Sequence, residues 1–470
     1  MRRLVWFRGK DLRVDDHAPL RDACGSAACV FVLDSFFFSA QRAQRLPNRM
    51  AFLLESLAEL EAAIAGLGGR LLVVAGKSTQ VIPALARQLK VDEVVAYRWT
   101  EPLGRKRDAR VQDALDVPLR LYEGETLLPP DTLRTKDGRP YSVFTPYYRA
   151  FQRHGQVPSP SPAPARIRAI RSPDPIDTVA IPKAEELGLE VSPERLTGGE
   201  SAARQRLSLF IEERLDGYDS GRDLMGHPGV SRLSQDIKFG TLSVRSVWHQ
   251  VAASGVADEH VDAFSRQLVW RDFSHSCLWH NPQLLDHPFR QQWSNFPWAV
   301  DPDGWAAWRT GHTGYPIVDA ASRQLLQTGF VHNRARMIAA SFLTKHLMIS
   351  YRCGEAHYLR YLTDGDWAQN NAGWQWAAGC GFDAQPYFRV FNPMLQGKRF
   401  DPDGSYVRRY VPELSGLDSR DIHAPWLAPE ERLAAGGVTL GQDYPRPIVD
   451  HAQARERFLA VARAHIQSWA

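Results

Sequence analysis

Four short runs of apolar and β-branched residues decide most of what this chain can be: RLVWF (3–7), CVFVLD (29–34), RLLVVAG (70–76) and EVVAYRW (93–99). Each is too short for a buried helix and too continuous for a strand with one wet face. Strands of a parallel sheet, covered on both sides, read this way. Between them, NRMAFLLESLAELEAAIAGLGG (48–69) repeats apolar residues at helical spacing and stops on Gly-Leu-Gly-Gly. STQVIPALARQLK (78–90) is a second helix, expected to open on a Ser/Thr cap. The alternation predicts an α/β amino-terminal domain with an open, doubly wound, Rossmann-like parallel sheet. No G-x-G-x-x-G follows the first run, so a dinucleotide site of the Rossmann kind is not supported there.

The pattern then changes. VPSPSPAPARIRAIRSPDPIDTVAIP (157–182) holds seven prolines and reads as an extended connector. From about residue 195 the periodicity is helical almost to the end, as in HVDAFSRQLVWRDFSHSCLWH (260–280) and NRARMIAASFLTKHLMI (333–349). A chain of 470 residues exceeds one typical core. The expected division is 1–130 (α/β), 131–195 (connector) and 196–470 (a larger all-α domain).

Neither a signal peptide nor a transmembrane run stands out, which makes the cytoplasm the default. Cys24, Cys29, Cys277, Cys353 and Cys380 are scattered without a C-x-x-C pair, so no zinc or iron–sulfur site is expected. The net charge of +4 permits a polyanionic partner without arguing for one. Tryptophan is the unusual residue: ten of the 14 fall between Trp248 and Trp376. Most belong in a core, but some could line a cavity for flat ligands.

Three stretches could carry chemistry. DGDWAQNNAGWQW (364–376) offers carboxylates, amides and indoles, with no Ser, Cys or His to attack. Upstream, Arg334 and Arg336 lie just inside an apolar helix, with Asp364 and Asp366 as the nearest counter-charges. A buried Arg–Asp clamp explains this. So does a cofactor with both donors and acceptors, such as an isoalloxazine ring. GVSRLS (229–234) precedes a helical segment; hydroxyls and free N–H groups there suit a pyrophosphate, and a capped helix is the alternative. In RQLVWRDF (266–273), Gln267, Trp270 and Arg271 fall one turn apart, suiting a nucleobase edge, its face and a phosphate. A helix with one buried Trp explains them equally.

VWFRGKDLRVDDHAPL (5–20), GVSRLS, LVWRDF, TGYPIVDAASRQLLQTGFVHNRARM (313–337), DGDWAQNNAGWQWAAG (364–379) and YFRVFNP (387–393) resemble, in order and spacing, the DNA photolyase/cryptochrome family over essentially the whole chain. Among its members they are nearest the class I cyclobutane pyrimidine dimer photolyases. The resemblance implies a non-covalent FAD and blue-light chemistry, in which the flavin rather than a nucleophile supplies reactivity. It implies flavin contacts from Asp364, Gly365, Asp366 and Arg271, with Arg336 pairing Asp364 and Asn370 facing the central ring. Tyr218, Val230, Ser231, Arg232, Leu233 and Ser234 match the phosphate side, with Val230 where most relatives carry Thr. Trp374, Tyr351 and Trp298 match the electron-transfer chain, with Tyr351 standing where Trp is the rule.

Trp270 and Trp376 match indoles that stack on the lesion, and Asn333 and Met337 match the cyclobutane-dimer enzymes. Gln267 stands where those enzymes usually have Glu. Arg222, Arg271, Arg334, Arg389, Asn392 and Gln396 match contacts to the DNA backbone. WTEPLGRKRD (99–108) is closer to relatives with a deazaflavin-type antenna chromophore than to the folate type. The implied function is light-driven dimer repair by a monomer acting on damaged DNA, with no metal. A cryptochrome-like photoreceptor and a (6-4) photolyase are the alternatives. The chain ends about twenty residues after RPIVDH, without the long tail that would favour a photoreceptor.

Overall fold

Successive side chains of a strand point to opposite faces, and the first strand buries both sets. In the computed structural model, which describes residues 1–172 and 174–469, Leu4 and Trp6 of strand β1 (Arg3–Phe7) join one core and Val5 and Phe7 another. The first core holds Ile82, Leu85 and Leu89; the second holds Phe52, Leu57, Leu60 and Ile64 of the helix Pro47–Gly66. With β2 (Ala27–Leu33), β3 (Leu71–Ala75), β4 (Glu93–Tyr97) and β5 (Leu119–Tyr122), β1 makes a parallel sheet of order β3-β2-β1-β4-β5. The order reverses between β1 and β4, where open α/β sheets place ligands at their carboxyl ends. The half-exposed edge strand β5 was not legible as a fifth run.

Two local expectations need correction. The helix Ser78–Gln88 is not capped by Ser or Thr: its N-cap is Lys77, and the amide of Ser78 donates to Asp34 instead. The segment 131–195 is not extended throughout. It contains the helix Phe144–His154, whose Phe144, Tyr147, Ala150 and Phe151 form a buried stripe, and which stops at left-handed Gly155 (φ 72°).

Packing divides the chain into two compact units. The first comprises Met1–Val191, Leu196–Asp216 and Ser231–Pro282; the second comprises Ser192–Arg195, Gly217–Val230 and Gln283–Ala470. The helix Asp258–His280, helical by pattern, thus packs with the first unit. Asp272 accepts the amides of Leu127 and Leu128 at 3.2 and 3.1 Å, and Ser276 Oγ donates to Pro130 O at 2.7 Å.

The second unit is helical. Its core includes Trp308, Tyr315, Phe342, Tyr358, Trp374 and Phe458. The helix Asn333–Ser341 runs into a π-helical turn, Phe342–His346, in which the amide of Leu347 reaches back to Phe342 O. Among the described residues no helix is long and apolar enough to cross a membrane.

Candidate functional site

The carboxylates of 364–366 occupy a buried loop between the helices Tyr351–Tyr361 and Trp367–Ala378. Arg336 Nη2 donates to both oxygens of Asp364 at 3.0 and 2.8 Å, and its Nε donates to Val331 O at 2.8 Å. The clamp exists, but it does not exhaust the carboxylate, which has about four lone-pair sites. Asp366 is the N-cap of the next helix, its Oδ1 accepting from the amide of Gln369 at 3.0 Å. Asn370, one turn on, is buried and donates to Glu355 O at 3.1 Å. Asn371, which the sequence reading passed over, donates to Glu355 Oε1 at 3.0 Å.

Arg334 does not use these aspartates. It pairs with Asp223 at 2.9 Å and lies over the Phe400 ring at 4.1 Å. Residues two apart on a helix face nearly opposite sides, so one loop could not serve both arginines. Asp223 carried no sequence signal, being a single acid in an irregular segment.

On the phosphate side, Tyr218 and Val230 belong to the second unit, and Ser231–Ser234 to the first. Burial pushes the Tyr218 phenol up to about 12. Gly229 has no room for a side chain, since a Cβ there would come within 2.6 Å of Gly221 O. Arg232 takes a left-handed φ of 54°, a strained choice for a residue with a Cβ, of the kind that concentrates at ligand-binding loops. The following helix, Ser234–Phe239, has Leu233 at its N-cap and no side-chain cap, so the capped-helix reading of GVSRLS is not what is found. Ser234 Oγ is buried without a hydrogen-bond partner among the described residues.

Gln267, Trp270 and Arg271 do not share one exposed face. Gln267 and Trp270 are half-buried, and Gln267 Nε2 turns back to Ala263 O at 3.2 Å. Arg271 is buried and donates to Glu125 O at 2.6 Å, so it is not presented to DNA in this unit. The Trp270 indole lies flat on Phe144, with centroids 3.7 Å apart and planes 10° from parallel. Tyr148 stacks on the same Phe144, and the Arg266 guanidinium lies 5.1 Å from the Tyr148 ring. Phe144 was missed; its signal was the apolar spacing of FTPYYRAF.

In the second unit Asn333 and Met337 meet one turn apart, Asn333 Nδ2 lying 3.6 Å from the Met337 sulfur. Trp376, Arg222 and Gln396 are half-buried, and Arg389 is exposed. Asn392 caps the helix Pro393–Phe400, accepting from the amide of Leu395 at 3.2 Å.

The aromatic chain is partly assembled. Tyr351 and Trp298 are edge-on with centroids 6.3 Å apart. Trp374 is buried against Tyr358 (5.1 Å) and Trp308 (6.0 Å). Its indole occupies the place a side chain at Gly354 would take, since a Cβ there would come within 2.1 Å of it. Burial raises the Tyr351 phenol, helped by nearby Cys380 and Glu355, and burial lifts the Glu355 carboxyl to about 7.

Within the second unit, two carboxylates, a guanidinium and an amide brought together at the 364–370 loop suit a ring with N–H donors and carbonyl acceptors, the chemistry of a flavin; within the first unit, the unpartnered Ser234 hydroxyl suits a phosphate. Comparison with known proteins agrees. Residues 264–464 match the FAD binding domain of DNA photolyase, and residues 3–165 match the DNA photolyase family. A protein named deoxyribodipyrimidine photo-lyase from Agrobacterium fabrum is 39% identical over 98% of this chain and 97% of its own. A bacterial class III photolyase structure from Agrobacterium tumefaciens is similar at a TM-score of 0.90 and 37% identity, over 99% of this chain and 98% of that one. A Synechocystis cryptochrome structure is similar at 0.89 and 31%, over 98% of this chain and 99% of that one. A class I assignment finds no separate support beside a class III structure matched this fully. The chain belongs to the DNA photolyase family.

Proposed function

We propose that this protein repairs cyclobutane pyrimidine dimers in DNA, driven by blue light absorbed by bound, reduced FAD. Support comes first from the 364–370 stretch, where the Arg336–Asp364 pair, in which one guanidinium nitrogen reaches both carboxylate oxygens, Asp366 and Asn370 lie inside the matched FAD-binding domain. When bound, FAD would supply the photochemistry, an electron lent to the dimer and returned after the split. The protein's residues bind and orient. Asp364, Asp366 and Asn370 hold the ring edge, and Arg336 orients Asp364. Tyr218, Val230 and Ser231–Ser234 hold the phosphates. Trp270 and Trp376 stack on the flipped bases, and Gln267 offers an amide to the lesion. Asn333 and Met337 complete the contacts to the lesion. Arg222, Arg334, Arg389, Asn392 and Gln396 contact the DNA backbone without reading sequence. Trp374, Tyr351 and Trp298 carry an electron inward during photoreduction. Tyr351 gives one up readily only if its phenolic proton leaves with it.

Free cysteines throughout the described residues agree with a reducing compartment, and we place the protein in the cytoplasm. A second chromophore, of deazaflavin type, fits the segment 99–108. That segment leaves the carboxyl end of β4 at the strand-order reversal, where Lys10, Arg8 and Arg107 surround Trp99.

The cryptochrome reading is favoured by the Synechocystis likeness, and the (6-4) reading by Gln267. One assay separates all three: blue-light repair of oligonucleotides carrying each lesion by the purified, reduced protein. Repair of the cyclobutane dimer is expected. Repair of only the (6-4) product, or of neither, refutes the proposal.

A further inference from the structure

Lys345 is fully buried in the π-helical turn of the second unit, and no acidic group pairs with it among the described residues. Its Nζ makes one hydrogen bond, donating to the backbone carbonyl of Arg389 at 2.8 Å. Around it lie the Phe458 ring, 5.9 Å away, and the buried thiol of Cys380. Burial lowers its pKa from 10.5 to about 7, with Cys380 opposing and Arg389 adding to the shift. Such a residue is a poor choice for stability: a buried amine with one partner is replaced at little cost, or with gain, by a hydrophobe of its length.

What it holds is more informative. Residues 379–392 link the helices Trp367–Ala378 and Pro393–Phe400 and have no regular structure between them. Its start is held by the amide of Arg290, which donates to Cys380 O at 2.8 Å, and by Gln385 Nε2, which donates to Ala377 O at 3.0 Å; its end is held by the Asn392 cap, and between them Lys345 donates to Arg389 O. Near Arg389 the segment also turns on itself, the amide of Arg389 donating to Pro386 O at 3.0 Å, and the Tyr387 ring lies 6.3 Å from Trp293, but among the described residues Lys345 is the side chain from another element that hydrogen-bonds the Arg389 backbone; the Arg389 side chain is exposed and has no acidic partner there. The neighbouring Phe388 is exposed as well.

We infer that Lys345 is a positioning residue for DNA binding: it fixes the backbone at Arg389, so that the Arg389 guanidinium meets a phosphate with its main chain already ordered. The inference rests on the reading of Arg389 as a DNA-backbone contact. The turn explains the reach, because a π-helical turn rotates its side chains away from the register of the preceding helix and can aim Lys345 across the core.

The test is a double-mutant cycle in the FAD-loaded protein, comparing Lys345→Met, Arg389→Ala and the double variant. Binding to undamaged duplex is measured against salt, with melting temperature and amide exchange of 379–392 measured without DNA. Arg389→Ala should reduce the slope of log K against log salt by about 0.9, one phosphate contact. Lys345→Met should reduce it by a similar amount and speed exchange in 379–392, while melting at or above the wild-type temperature. The double variant should bind no worse than Arg389→Ala. If Lys345→Met does not fold, Lys345→Leu, which also lacks a donor, takes its place in the same cycle. Losses that add, or faster exchange accompanied by a wild-type slope, overturn the inference, as does a lowered melting temperature with unchanged exchange. An unchanged slope in Arg389→Ala instead overturns the reading of Arg389 as a DNA contact, leaving the tether to be judged by exchange alone.

Discussion

Replacing Asp364 by Ala separates two roles that the sequence could not. The Asp364 side chain is 6% exposed and that of Arg336 27%. Removing one partner of a buried ion pair costs about 3–5 kcal/mol because the other charge stays behind. Arg336 keeps its bond to Val331 O and part of its surface in water, which puts the cost near the lower end, about 3 kcal/mol. For a unit of this size that is roughly 6–12 °C in melting temperature. The flavin contact is a separate loss. One charge-assisted hydrogen bond, at about 1.5–3 kcal/mol, corresponds to a roughly ten- to hundredfold weaker FAD affinity. Thermal unfolding of the FAD-free protein reads the clamp, and fluorescence titration with FAD reads the contact. Asp364→Asn, which keeps an acceptor, should fall between the variant and wild type in both. A lowered melting temperature with unchanged FAD affinity would reduce Asp364 to a structural clamp. No change in either would refute the reasoning from the pair's geometry.

Three further outcomes are expected. Trp270→Ala should lose about 1–3 kcal/mol of preference for dimer over undamaged DNA, measured by competition binding, and Phe144→Ala part of it; equal selectivity in both would place the lesion elsewhere. Gln267→Glu should raise the quantum yield of dimer repair while leaving dimer affinity nearly unchanged, since the gain lies in stabilising the lesion radical anion; an unchanged yield counts against Gln267 as a lesion contact. Burial lifts the Asp272 carboxyl from 3.8 to about 7. Between those values the unfolded chain has released a proton that the folded protein retains, so its contribution to stability falls as pH rises from about 4 to about 7. Asp272→Asn should flatten that slope in urea unfolding at several pH values, and an unaltered slope would show that other groups dominate.

The sheet was legible because its strands are buried on both faces and announce themselves as uninterrupted apolar runs. The strand Leu119–Tyr122 was not, because its four residues are largely half-exposed and include Arg120, so they show neither an apolar run nor a period. The Arg336–Asp364 pair could be read from the cost of burying a guanidinium, but its neighbour Arg334 was given the wrong acids, since its partner Asp223 lies 111 positions upstream in an irregular segment. Arg271 shows the limit of helical spacing: being one turn from Gln267 does not say which face is wet, and its guanidinium went to a backbone carbonyl. Phe144 and Lys345 escaped notice because one looked like an ordinary core aromatic and the other like a surface lysine at the end of a helix.

Gly354 and Trp374 constrain how this sequence can drift. A methyl at 354 would overlap the indole, and a smaller ring at 374 would leave a void of the kind that costs a few kcal/mol when the surroundings cannot close it. Neither position can change alone without penalty, whereas Gly354→Ala together with Trp374→Phe roughly conserves volume. The two sites, twenty residues apart on different helices, therefore behave as a single heritable character. A lineage that gave up the indole would be expected to record the loss twice, once at each site.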